Sequence, residues 1–118
     1  PAMLKGYEDL LSSSGMQSFL FGHIGDSHLH MNLLPANREE YKTAKDIAMK
    51  LIKMSVGLGG TVSAEHGIGK SRREYLKILY GDKGVSEMLE TKRALDPNFI
   101  LNRGDVFDIP LDLLKEGR

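Results

Sequence analysis

The sequence predicts an α+β fold in which helices cover one face of an antiparallel sheet, and three observations carry that prediction. Apolar residues recur at helical spacing in well separated segments. Two short apolar runs flank Gly25-Asp26, a pair suited to a tight turn. A third run of small and β-branched residues, Thr61-Val62-Ser63-Ala64, follows a glycine cluster. Together they give the order α-β-β-α-β-α-α. At 118 residues the chain reads as a single domain, 1–118, long enough to bury about two thirds of its unfolded surface.

The first helix, residues 2 to 13, aligns Leu4, Tyr7 and Leu11 and stops in Ser12-Ser13-Ser14-Gly15. Ser18-Phe19-Leu20-Phe21 and His28-Leu29-His30-Met31-Asn32-Leu33 form the predicted hairpin. Asn37 followed by Glu40 has the spacing of a capping box, and Tyr41, Ala44, Ala48 and Leu51 then make an apolar stripe. Gly57-Leu58-Gly59-Gly60 ends this helix, and Thr61 to Ala64 is the predicted third strand. One helix follows with Tyr75, Leu76 and Leu79. A last one carries Val85, Met88, Leu89 and Leu95 before Asp96-Pro97 forces the backbone out of the helical region. The tail to Arg118 is turn-rich and weakly patterned. Three short strands leave two sheet edges, which invite pairing with a second copy or with a part of the protein outside this chain.

Sixteen basic and sixteen acidic side chains cancel without a long run of either sign, so the basic surface that nucleic acids or acidic membranes require is not apparent. Apolar runs such as Phe99-Ile100-Leu101 are too short to cross a bilayer, and the chain reads as soluble and cytoplasmic. Without cysteine there is no thiolate site, so any metal is held by imidazole and carboxylate.

If Gly25 and Asp26 are the turn, His23 faces His28 and Phe21 faces His30, which puts His23, His28, His30 and Asn32 on one face and Leu29, Met31 and Leu33 on the other. Three of the four histidines on the face away from the core are more than burial alone produces, and they suit a metal site. The fourth, His66, follows Glu65 within Ala64-Glu65-His66-Gly67-Ile68-Gly69-Lys70-Ser71. That stretch also fits a permissive phosphate-loop template ending in Gly69-Lys70-Ser71, although Glu65 would carry negative charge into an anion cradle.

Three blocks, "FGHIGDSHLHMN", "GGTVSAEHGIGKSRREYL" and "KRALDPNFILNRGDVF", resemble the signature blocks of the C-terminal domain of FAD-linked 2-hydroxyacid dehydrogenases and oxidases, the group of D-lactate and D-2-hydroxyglutarate dehydrogenases and the glycolate oxidase flavoprotein subunit. The resemblance implies a fragment of a ferredoxin-like cap domain, with FAD bound mainly by a domain absent from this chain, so that the chain is not active alone. It implies that His23, His30 and Glu65 hold a divalent metal, Zn, Mn or Fe; His28, which stands where the family has Asn, is open as a fourth ligand, a substrate contact or polar surface. Asn32, His66 and Arg72 would contact a small 2-hydroxy acid. The implied reaction has His66 take the hydroxyl proton as general base while hydride leaves the α-carbon for the flavin. The chain departs from the family pattern at Ser27-His28, where Gly-Asn is usual, at Arg72, where Lys is common, and at Asn102-Arg103-Gly104-Asp105, where Asn-Pro-Gly-Lys is usual. A detached cap serving as a binding or assembly module, including a homo-oligomer paired through sheet edges, is the alternative from another class, and a nucleotide-binding domain is the third.

Overall fold

The computed structural model describes residues 2–110; the last part of the tail, 111–118, lies outside the described residues. Its elements are α1 (Ala2–Ser14), β1 (Ser18–His23), β2 (His28–Leu33), α2 (Arg38–Gly57) and α3 (Arg73–Leu95), an α+β arrangement whose sheet among the described residues is the antiparallel pair β1-β2. The described residues divide between Thr61 and Val62 into two compact units.

In the first unit, α1 ends as its serines foretell. Ser13 and Ser14 turn their hydroxyls back onto the carbonyls of Leu10 and Leu11, Gly15 takes a left-handed φ of 62°, and Met16 is then buried. Helix α1 meets α2 where Gly6 lacks a side chain: a Cβ there would stand 2.3 Å from Met54 Sδ. Helix α2 starts on the expected cap. The Asn37 side chain accepts from the amides of Glu39 and Glu40 at 3.0 and 2.9 Å, and Glu40 reaches back to accept from the Ala36 amide at 2.7 Å. Its buried positions are Ile47 and Leu51, flanked by half-buried Ala44 and Ala48. Tyr41, expected in that stripe, is instead 52 % exposed with the Lys45 ammonium 4.8 Å from its ring centre, because the stripe turns inward one helical turn later.

The hairpin has the register read from sequence, with Phe21 opposite His30 and His23 opposite His28. The connection is longer than the two residues expected: Ile24–Asp26 make a turn of 3₁₀ helix, and Ser27 closes it with a left-handed φ of 53°. Both geometries join the same end pair, so the faces do not change. Gly22 makes the pairing possible. A Cβ on it would stand 2.3 Å from the His28 carbonyl oxygen and 2.9 Å from Leu29 Cα, both backbone atoms that a strand cannot move aside.

In the second unit the third strand expected at Thr61–Ala64 is absent. Ala64–His66 form a 3₁₀ turn instead, with Ala64 at a left-handed φ of 42°. A β-branched run is a strand only where a neighbour completes its ladder, and no described strand pairs with this one. The two helices expected beyond it run together as α3 and are broken at Gly81, whose φ of 67° and ψ of 178° are not helical. Leu95, read as apolar packing, is 81 % exposed, whereas Leu76, Val62 and Phe99 are buried.

The end of α3 is held by Asp96, the one buried charged residue described. Its carboxylate accepts from the amides of Ile100 and Leu101, each at 3.0 Å, and from the Lys92 ammonium, which also donates to the Leu101 carbonyl at 2.9 Å. Proline at 97 stops the helix, and these bonds fold the chain back so that Phe99, at φ 50°, is buried.

Two outcomes follow from these contacts. Gly22→Ala is expected to lower stability by about 1–3 kcal/mol in urea denaturation, while Gly25→Ala, whose Cβ would meet nothing within 4 Å, leaves the midpoint nearly unchanged. The Lys92 hydrogen bond, with the Ile100 and Leu101 amides, holds the Asp96 carboxyl below the usual carboxylate range. The folded chain therefore binds this proton less readily than the unfolded one. The stabilisation is present above the unfolded value of about 3.9 and is lost as pH falls through the lower folded value. Asp96→Asn should be less stable than the parent at pH 7 and lose less between pH 7 and pH 3, read from urea midpoints at the two pH values.

Candidate metal centre

Alternation along paired strands puts Phe19, Phe21, His23, His28, His30 and Asn32 on one face of the hairpin. The opposite face carries Leu20, Leu29, Met31 and Leu33, of which the β2 residues are half-buried. This is the distribution read from sequence, and it brings three imidazoles together. Ring centres lie 4.4 Å apart for His28 and His30, 5.4 Å for His23 and His30, and 5.7 Å for His23 and His28. Each ring offers one nitrogen within 4.8 Å of those of the other two. His28 and His30 are half-buried and His23 is exposed.

Two features of this face were not read from sequence as part of it. Phe21 stacks on His30 with ring centres 5.1 Å apart and planes 23° from parallel, which limits the imidazole to a narrow range of orientations. Gly22 lets β2 approach closely enough for the rings to meet at all. The signal for Gly22 was available, since a glycine inside an apolar strand pattern often marks close backbone approach. For the stack the signal was the predicted pairing of Phe21 with His30, which sets the two rings side by side on one face.

Glu65 and His66 sit in the 3₁₀ turn of the second unit. There successive side chains are separated by about 120° around the axis, so the two project in different directions. The turn lies between Ala64 at φ 42° and Gly67 at φ 67°, and its amide bond from His66 to the Ser63 carbonyl measures 2.9 Å. Arg72 is close to the same loop, its guanidinium donating to the Gly67 carbonyl at 3.4 Å. Asn32 is exposed on β2, on the histidine face.

The phosphate-loop reading fails on the backbone. Such a loop joins a parallel strand to a helix N-terminus, and here the element that leads into Ala64–His66 is helix α2, the described sheet is antiparallel, and α3 begins only at Arg73. Lys70 instead lends its carbonyl to Arg73 Nε at 3.1 Å, and the Gly69 carbonyl accepts from the Val106 amide at 2.9 Å. The second of these bonds ties the loop before α3 to the segment after it.

The donor set suits a divalent ion of the zinc type: neutral nitrogens, no thiolate, and separations that small side-chain rotations would close. No helix among the described residues is long and apolar enough to cross a membrane.

Comparison with known proteins agrees with the three sequence blocks. The chain is 35% identical over 107 residues to a mitochondrial D-lactate dehydrogenase [cytochrome] of Kluyveromyces lactis, covering 91% of this chain and 18% of that protein. It is 31% identical over 107 residues to the glycolate oxidase subunit GlcD of Bacillus subtilis, with 89% and 23% covered. A D-2-hydroxyglutarate dehydrogenase of Xanthomonas citri pv. viticola is 36% identical over 92 residues, with 75% and 20% covered. The chain thus spans about a fifth of the length of these relatives. The family described as FAD linked oxidases, C-terminal domain, matches residues 1–106, and the chain belongs to it.

Proposed function

We propose that this chain is the substrate- and metal-binding portion of a flavin-dependent 2-hydroxyacid dehydrogenase or oxidase of the glycolate or D-lactate type, completed by an FAD-binding domain on another segment or subunit. The observation that carries the reading is the histidine face of the hairpin, in a chain of this family. In this reading His23 and His30, with Glu65, hold the divalent ion. When bound, the ion supplies positive charge that favours the ionised form of a substrate hydroxyl. FAD, when bound, accepts the hydride.

The chain's own residues divide the remaining work. His66 takes the hydroxyl proton on a ring nitrogen, and its turn, held by the bond to Ser63, keeps it apart in direction from Glu65. Arg72 offers a planar fork of donors that matches a carboxylate, where a lysine would offer a point charge. Asn32 adds an amide on the histidine face, able to donate to the same carboxylate. A second reading, a cap that serves as a binding or assembly module, is favoured by Phe19 and Phe21, each 55 % exposed on β1.

The test uses tag-free protein and metal analysis by mass spectrometry. About one Zn, Mn or Fe ion per chain is expected; His30→Ala loses it, and Glu65→Ala binds it at least about tenfold more weakly. In the enzyme assembled with its FAD domain, His66→Gln keeps the metal while kcat on D-lactate or glycolate falls about 100- to 10,000-fold. A metal-free parent chain, or a His66→Gln enzyme with undiminished kcat, overturns the reading, and an assembled protein without turnover favours the module.

A further inference from the structure

We infer that His28 is itself a metal ligand, so that the hairpin presents a three-imidazole set, His23, His28 and His30, that selects zinc-like ions over manganese. The inference rests on the metal role proposed for this face and adds a donor to it. Its first support is geometric. Three imidazoles around one ion, with metal to nitrogen bonds of about 2.0–2.1 Å, place their ring centres about 4.5 to 5.2 Å apart for octahedral to tetrahedral angles. The observed separations lie just outside that range, at 4.4 Å below it for His28 and His30 and at 5.4 and 5.7 Å above it for His23 with His30 and with His28, so modest side-chain rotations, the largest at His23, would bring all three rings onto one ion.

The second support is how His28 is held. It pairs with His23 as the last rung of the ladder, where the 3₁₀ turn and left-handed Ser27 close the loop, so its backbone is fixed from both sides. It is two residues from His30 on the same strand and face, and the two rings are closer to each other than any other pair in the cluster. Both are half-buried while His23 is exposed, which leaves the ion approachable from the His23 side and enclosed on the other. Packing of bare rings would account for one such pair. Three mutually close imidazoles, each offering a nitrogen within 4.8 Å of those of the other two, make a set of donors that one ion could bridge. An added neutral nitrogen raises affinity most for ions that favour imidazole, such as Zn(II) and Ni(II), and little for Mn(II), which favours oxygen.

Zn(II) and Mn(II) titrations of the tag-free full chain by calorimetry, with X-ray absorption to count imidazole ligands, test this. For His28→Asn, with a far-ultraviolet circular dichroism spectrum like the parent's, zinc affinity should fall at least about tenfold and the zinc-to-manganese preference by a similar factor, with imidazole ligands dropping by one. If His28→Asn binds zinc as the parent does while His30→Ala does not, His28 is not a ligand and the functional reading stands. If the parent binds neither ion, both fall. Should His28→Asn disturb folding, His28→Gln serves in its place, with the ligand count on the parent alone required to show three imidazoles; two would overturn the inference.

Discussion

The pairing of β1 with β2 is the constraint on which the candidate site depends. Side chains alternate across a strand, so a register shifted by one residue would send His23, or His28 and His30, to the opposite face and leave no cluster. Two local features oppose such a slip. Gly22 admits the β2 backbone at a distance that no other residue would permit, and it does so opposite Leu29 alone. Ser27 closes the loop in the left-handed region, which ties the turn to the His23 and His28 rung. A two-stranded sheet is marginal by itself. Here the Gln17 carbonyl extends the ladder by accepting from the Leu34 amide at 3.0 Å, and the half-buried Leu29, Met31 and Leu33 give the pair an apolar side.

The parts of the fold that were legible in the sequence are those decided by neighbours in the chain. Asn37 and Glu40 cap α2 because both partners lie within four residues, and the serines and glycine that stop α1 act over the same distance. The hairpin register survived a mistaken turn because the same residues, His23 and His28, bound either loop. The third strand was illegible for the opposite reason. Thr61 to Ala64 has the composition of a strand, but strands are made by pairing, and pairing depends on residues far away in sequence. Gly81 shows a related limit: a glycine between two apolar patterns signals a break, without saying whether the helix ends there or continues beyond a kink.

The histidine face was legible because alternation is a two-residue rule, and Glu65 with His66 because the pair is adjacent. What composition could not supply was how closely the rings approach, which depends on Gly22 and on the Phe21 stack. Nor could it supply the backbone under Glu65, a 3₁₀ turn that begins where the predicted strand Thr61 to Ala64 was to end.

Donor chemistry gives the separate residues separate consequences. Three neutral imidazoles leave the full double charge on a divalent ion, whereas a carboxylate cancels half of it and reduces its pull on a bound hydroxyl. Histidine on the hairpin and glutamate in the turn would therefore not be interchangeable as ligands. An imidazole at position 28 would add affinity for zinc-like ions without lowering that charge, while an amide at the same place would leave the charge equally intact but favour manganese or magnesium, since its oxygen is a hard donor. Ser27 matters to the same end by a backbone route. Its left-handed φ of 53° turns the chain into β2 so that position 28 faces the histidines, and whatever side chain stands there joins them.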